Sequence, residues 1–173
     1  MNKALFLDRD GIVNRRIVGG YVRTPEEFEL LDDVLPLIRA GRRAGMLLVL
    51  ITNQQGVGKE LMTDDELDDV HDHMQAMLAV RAGTMLDDIY VCTDLEGSGS
   101  LRRKPNPGML LEAIADHDID PGESWFVGDS ISDAQAGRSA GVRTLLVGAF
   151  PPDAADVVVA TLDTATKKIF GDL

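Results

Sequence analysis

Sulfur chemistry is almost closed to this chain. Its 173 residues include a single cysteine, Cys92, so no internal disulfide can form. That scarcity suits a reducing compartment, and a cytoplasmic location is the expectation. Long apolar runs are missing too. None approaches the ~20 residues that span a bilayer, and the stretch from Ala4 to Leu7 is too short for the core of a secretory signal. Positive charge is in short supply: 17 Lys and Arg face 29 Asp and Glu, a formal net charge of -12 with a pI near 4.5. Such a balance repels nucleic-acid backbones and anionic membranes, so neither is expected as a partner, and its ordinary consequence is solubility. Only three histidines occur. His71 and His73 stand two apart in a helical stretch and so on different faces, which argues against a shared metal site. These two and His117 are read as structural or solvated.

What the chain does have is enough apolar material for a core, 45% of its residues. Its length fits one domain, residues 1–173. Five short apolar runs alternate with amphipathic stretches: Ala4 to Leu7, Met46 to Ile51, Ile89 to Val91, Trp125 to Val127 and Thr144 to Val147. Between them, Val34, Leu35, Ile38 and Arg42 share a helical face after a cap at Asp32 or Asp33. Thr63-Asp64-Asp65-Glu66 is a capping box that opens a long helix through Leu67, Val70, Met74, Met77, Leu78 and Arg81. Pro107 suits the first turn of a helix through Leu110, Leu111 and Ile114, and Gly141 closes another over Ile131 to Ala140. Met74, Met77 and Met85 look like core fillers. Glu96 to Ser100 is the one flexible-looking stretch. Val157 to Phe170 is expected either to complete the sheet with an outer helix or to pack on a neighbouring molecule. The alternation predicts an α/β fold with a mostly parallel, Rossmann-like sheet flanked by helices and a minimal cap.

In such sheets ligands bind beyond the carboxyl ends of the strands. The first run ends in Asp8-Arg9-Asp10-Gly11, the second in Thr52-Asn53-Gln54-Gln55-Gly56, and the fourth in Gly128-Asp129-Ser130 with Asp133 a turn later. After the third come Cys92-Thr93-Asp94 and then Arg102-Arg103-Lys104-Pro105. Carboxylates held together need a cation or a proton between them. A set built from Asp8, Asp10 and Asp129, without His or Cys, suits Mg²⁺ better than Zn²⁺. A carboxylate such as Asp8 can attack phosphorus, and Asp10 can exchange a proton with the leaving oxygen. Lys104 and Thr52 can stabilise phosphoryl oxygens. Each piece alone has a plainer reading as a turn, a cap or a solvated basic patch. It is the order of four such segments, each past its own strand, that argues for a functional site.

Asp8-Arg9-Asp10-Gly11-Ile12-Val13-Asn14, Thr52-Asn53-Gln54-Gln55-Gly56, Arg103-Lys104-Pro105-x-Pro107-Gly108-Met109 and Gly128-Asp129-x-x-x-Asp133 resemble the four motifs of the haloacid dehalogenase (HAD) superfamily. The resemblance runs from about Lys3 to Val147. The variants are similar to the small-cap branch that holds heptose bisphosphate phosphatases and histidinol-phosphate phosphatases. It implies a magnesium-dependent phosphomonoester hydrolase acting on a small phosphate ester. Asp8 would be the nucleophile, Asp10 the general acid and base, and Thr52 and Lys104 the phosphoryl stabilisers. Asp8, the backbone carbonyl of Asp10 and Asp129 would hold Mg²⁺, with Asp133 supporting that shell. Gly20, Tyr21, Asn53, Gln54 and Arg103 would contact the rest of the substrate. A nucleic-acid 3'-phosphatase uses similar motifs, and the charge argues against it. Phosphotransfer to an acceptor other than water stays open, and a non-catalytic phosphate-binding module would require a lost Asp8 or Asp10.

The sequence departs from that pattern twice. Many members of the branch bind a structural zinc through a Cys-x-His pair and a later Cys-x-Cys pair. Here Cys92-Thr93-Asp94 keeps only the first of those ligands, so no zinc is expected. The stretch Arg15 to Tyr21 is longer than the branch implies and carries Arg15, Arg16 and Gly19-Gly20, which would form part of a specificity wall. A monomer is the default expectation.

Overall fold

Among the described residues six strands form one sheet, and every pairing in it is parallel. The strands are β1 (Ala4–Leu7), β2 (Leu47–Asn53), β3 (Asp88–Cys92), β4 (Trp125–Gly128), β5 (Arg143–Val147) and β6 (Val157–Val159). The computed structural model describes residues 1–171; Asp172 and Leu173, the end of the expected 1–173 domain, lie outside the described residues. The five apolar runs are all strands, with ends moved by one or two positions: Met46 drops out, while Thr52 and Asn53 extend β2 toward the site. A sixth strand accounts for the first of the two readings of the Val157 to Phe170 stretch. It completes the sheet edge and leads into an outer helix.

The helices are α1 (Val34–Arg43), the single turn α2 (Gln55–Gly58), α3 (Asp64–Ala82), α4 (Gly108–Asp116), α5 (Ile131–Ser139) and α6 (Leu162–Phe170). Side chains alternate across the strands, so each face of the sheet takes its own helical layer. Leu5, Leu7, Leu48, Leu50, Val127 and Leu145 pack with α1, α3 and α6 on one face. Phe6, Val49, Ile51, Tyr90 and Phe126 pack with α4 and α5 on the other. β1 is buried along its whole length, which is why Ala-Leu-Phe-Leu carries no polar alternation.

The capping box that opens α3 is formed. Thr63 Oγ1 accepts from the Glu66 N–H at 3.1 Å, and Glu66 Oε2 accepts from the Thr63 N–H at 2.8 Å. Leu67, Val70, Met74 and Leu78 face inward as the spacing required, and so does His71. Met77 is partly buried against the same cluster. Met85 corrects the expectation of a core filler. α3 stops at Ala82 and Gly83 turns the chain in the left-handed region, so Met85 leaves the helical period and is 51% exposed. Among the described residues, no helix is long and apolar enough to cross a membrane.

The strand order is β3-β2-β1-β4-β5-β6. Connections run one way from β1 to β2 and β3, and the other way from β4 to β5 and β6. The crevice at that reversal, beyond the ends of β1 and β4, is where an open parallel sheet accommodates a ligand. No separate cap domain covers it among the described residues; a loop carrying Arg15 to Phe28, with one 3-10 turn at Pro25–Glu27, stands at its side.

Candidate active site

Asp8 is the first residue past β1 and Asp129 the first past β4, so the topological reversal places their carboxylates side by side. Asp8, Asp129 and Asp133 each offer an oxygen within 4.8 Å of the others. The crowding depends on two glycines. Gly11 has φ +92°, and a methyl group there would run into the Asp129 carboxylate. A methyl on Gly128 would likewise strike Asp133.

Lys104 reaches this cluster from the loop after β3. Its Nζ lies 2.7 Å from Asp8 Oδ1 and 2.7 Å from Asp133 Oδ1, and donates to the Ile51 carbonyl at 3.0 Å. Burial works against the ammonium, yet Asp133 and Asp8 outweigh it and raise the Lys104 pKa above its ordinary value. The acids remain in excess. Burial first, then the neighbouring Asp133 charge, drives Asp8 well above the usual carboxylate range despite Lys104. Burial also raises Asp129, against the opposing charge of Arg16. The cluster therefore has more negative charge than its own cations balance.

Asp10 has the opposite environment. Burial alone would raise its pKa, but the Arg9 guanidinium and hydrogen bonds from Asn14 and Gln54 carry it below the ordinary value. Asn14 Nδ2 donates to Asp10 Oδ1 at 3.0 Å, Arg9 Nη2 to the same oxygen at 3.2 Å, and Gln54 Nε2 to Oδ2 at 2.8 Å. The turn that brings Asn14 back is held by the Arg9 carbonyl, which accepts from the N–H groups of Ile12, Val13 and Asn14.

The remaining expected residues divide by what their polar groups do. Thr52 is buried at the end of β2, and its hydroxyl accepts from Gln54 Nε2 at 2.8 Å. Gln54 thus ties Thr52 to Asp10. The Asn53 amide is paired at both ends with the Lys104 backbone, at 3.1 Å each, and fixes the Lys104 loop against β2. Arg103 keeps a free edge beyond its 3.2 Å bond to the Asp94 carbonyl. Tyr21 accepts from Lys59 Nζ at 2.8 Å through its hydroxyl. Gly20, Tyr21, Asn53, Gln54 and Arg103 all line one pocket of about 270 Å³ together with Asp10 and Arg16. It adjoins a smaller pocket of about 80 Å³ lined by Asp8, Asp10, Lys104, Arg16 and Ser130. The smaller recess, at Asp8 and Lys104, is on the scale of a phosphoryl group, and it opens through Asp10, Arg16 and Ser130 into the larger one.

Sequence reasoning gave no site role to Arg9, Asn14, His71 or Ser130, and left Arg16 only as part of a wall. Arg16 Nη1 stands 3.9 Å from Asp129 Oδ2, whereas Arg15 turns away to Glu29 at 2.8 Å. Two adjacent arginines in a loop carry no signal that says which one enters the site. The Cys92 loop is organised without a thiolate cluster: Arg102 donates to Glu112 at 2.8 Å and to the Val91 carbonyl at 2.8 Å, and Asn106 to the Ser100 carbonyl at 2.8 Å.

The donor set fits a hard divalent cation. Asp129 Oδ1 is buried with no hydrogen-bond partner among the described residues, beside acids whose negative charge is only partly balanced. Asp133 is differently engaged. Its Oδ2 accepts from the N–H groups of Asp129 and Ser130 and from the Ser130 hydroxyl, and its Oδ1 pairs with Lys104. Asp8 and Asp129 are accordingly the freer carboxylates.

Residues 101–164 match a family model described as HAD-hydrolase-like. Over 153 residues the chain is 42% identical to D-glycero-alpha-D-manno-heptose-1,7-bisphosphate 7-phosphatase of Burkholderia mallei, covering 84% of this chain and 79% of that protein. It is 41% identical over 154 residues to D-glycero-beta-D-manno-heptose-1,7-bisphosphate 7-phosphatase of Pasteurella multocida, covering 85% and 82%. In three dimensions it resembles the crystal structure of D,D-heptose 1,7-bisphosphate phosphatase from B. bronchiseptica complexed with magnesium and phosphate, with a TM-score of 0.86, 31% identity, and coverage of 96% of this chain and 97% of that one. An aspartate pair past β1, a lysine clasped between acids, a carboxylate cluster at the sheet reversal and this level of identity agree: the chain belongs to the HAD superfamily of hydrolases, in its phosphatase branch.

Proposed function

We propose that this phosphatase removes the 7-phosphate of a D-glycero-D-manno-heptose 1,7-bisphosphate through a phosphoaspartyl intermediate on Asp8, using Mg²⁺, and that residues 1–173 act as one domain. The observation that carries the reading is the pairing of pockets. A phosphoryl-sized recess at Asp8 and Lys104 adjoins a larger one lined by Arg16 and Arg103, so cationic groups are available to two phosphates of one sugar.

Lys104 holds Asp8 Oδ1, which leaves the other carboxylate oxygen to attack phosphorus. As that O–P bond forms, the bond from phosphorus to the sugar oxygen breaks. Asp10 gives its proton to the departing oxygen. In the second half, Asp10 takes a proton from water, the hydroxide oxygen attacks phosphorus, and the Asp8 O–P bond breaks to release inorganic phosphate. Asp10 is held low in pKa before substrate arrives. The approach of a phosphate dianion raises that value and favours the protonated acid the first half requires. Thr52 and Lys104 serve the equatorial oxygens. A magnesium ion on Asp8, the Asp10 carbonyl and Asp129 would supply charge neutralisation for the phosphoryl group.

The test is phosphate release with Mg²⁺ across both anomers of heptose 1,7-bisphosphate, heptose monophosphates, histidinol phosphate and a 3'-phosphorylated oligonucleotide. The reading requires kcat/KM for one bisphosphate anomer to exceed every other compound at least about tenfold. Preference for histidinol phosphate or the oligonucleotide overturns the substrate. Asp8→Asn should abolish turnover without lowering the melting temperature, because the charge it removes is one that burial already disfavours. Appreciable residual turnover would remove Asp8 from the role of nucleophile.

A further inference from the structure

The Arg9 side chain is fully buried, and a guanidinium has only donors to offer. Its one ion-pair partner among the described residues is Asp10, reached by Nη2 at 3.2 Å. On the other side Nη1 lies 3.1 Å from His71 Nε2, a side chain 62 positions away on the inward face of α3. Arg9 cannot accept, so Nε2 must, which makes His71 a neutral imidazole with its proton on Nδ1. Burial, and then the Arg9 charge, pushes the His71 pKa down to about 3, in keeping with that assignment. Without His71 an N–H of a buried cation would lose its partner, and the guanidinium would be free to rotate off Asp10.

We propose that His71 is a positioning residue for proton transfer: by accepting from Arg9 it fixes the guanidinium that orients the Asp10 carboxylate toward the leaving oxygen. The inference rests on the phosphatase reading above, in which Asp10 is the proton donor. It gives α3, which lines neither pocket at the cluster, a direct hold on the chemistry. It also distinguishes His71 from His73, whose ring meets Phe28 edge-on at 6.2 Å on another face of the same helix.

A sugar alkoxide needs a proton as it leaves, and 4-nitrophenolate does not. kcat/KM reports the steps up to departure of that group. His71→Leu should therefore lower kcat/KM for heptose 1,7-bisphosphate about tenfold or more, a part of the 10²–10⁴ that general acid catalysis provides. The same variant should lower kcat/KM for 4-nitrophenyl phosphate less than about threefold. The loss should fall on kcat, with KM for the bisphosphate near that of wild type. His71→Gln keeps an acceptor and should restore most of the difference. Equal losses on both substrates, or a Gln variant as impaired as Leu, would reduce His71 to a packing role. If His71→Leu does not fold, Arg9→Lys, which keeps the charge and loses the fork, must narrow the ratio between the two substrates; an unchanged ratio overturns the proposal. Asp10→Asn separates the two levels. If it leaves the ratio unchanged, the role of Asp10 fails and the inference falls with it. If it narrows the ratio while His71→Leu does not, the inference alone fails.

Discussion

Lys104 and Arg103 are neighbours in sequence and opposites in environment. The Lys104 ammonium is enclosed between two carboxylates, while Arg103 stands at a pocket rim and, among the described residues, is bonded only to a carbonyl. Removing one partner from a buried pair leaves an uncompensated charge and typically costs about 3–5 kcal/mol. Lys104→Ala should accordingly lower both kcat and stability, whereas Arg103→Ala should chiefly raise KM. Steady-state kinetics and thermal melts on both variants check the ordering, and its reversal would mean that the two residues exchange roles. His71 makes a residue-scale prediction of its own. Its folded pKa is about 3 against ~6.5 when unfolded. Between those values the unfolded chain binds the proton and the folded one does not. The stability His71 contributes is thus complete above about pH 6.5 and is lost as pH falls toward 3. At ~1.4 kcal/mol per pH unit, the stability advantage of wild type over His71→Gln should shrink by about 2 kcal/mol between pH 7 and pH 5 in denaturant titrations. A difference that stays flat would mean that His71 is not held neutral.

The start of α5 shows one element serving two tasks through a single side chain. Asp133 caps the helix with Oδ2, which accepts from the Asp129 and Ser130 N–H groups, and balances Lys104 with Oδ1. Asp133→Asn keeps an oxygen for the cap and drops the charge; Asp133→Ala loses both. Ala should be less stable than Asn by about 1 kcal/mol, the usual worth of such a cap, while both lose activity through Lys104 and Asp8. Equal melting midpoints would argue that the cap is not formed. The elements also show what a sequence makes legible. Apolar runs and capping residues act locally, so strands β1 to β5, the box at Thr63 and the turn at Gly141 were all readable in order. The four motifs were readable because three of them begin at or just past the carboxyl end of a strand, while the Lys104 motif follows β3 through a longer loop. β6 was harder, since Val157–Val159 is three residues long and hydrogen-bonds only along one edge. The clasp on Asp10 was illegible for a different reason. Arg9, just past β1, and His71, on α3, meet only because α3 packs on the face of the sheet that carries Leu5 and Leu7, and nothing local in either segment predicts a buried guanidinium. Met85 misled by resembling Met74 and Met77 in composition while lying beyond the end of their helix.

Over the whole molecule the acids and the fold come into conflict at one place. A chain with net charge -12 folds so that three carboxylates meet beside a single lysine, at the point where the sheet reverses direction. Evenly spread negative charge favours solubility, but buried negative charge raises the pKa of Asp8 and Asp129 and opposes folding. A divalent cation that binds only the folded state converts that opposition into stabilisation. At a concentration 100-fold above its dissociation constant it adds about 2.7 kcal/mol. For a chain of this length each kcal/mol moves the midpoint by about 2–4 °C, so Mg²⁺ should raise the melting temperature by roughly 5–11 °C over protein in EDTA. Asp129→Asn should lose most of that shift, because it removes the carboxylate whose Oδ1 is buried without a partner. After EDTA treatment, Mg²⁺ rather than Zn²⁺ should restore turnover, as an all-oxygen donor set requires. A melting temperature indifferent to Mg²⁺, or an Asp129→Asn protein that responds like wild type, would mean that the charge is balanced elsewhere and that the carboxylate cluster is not the metal site.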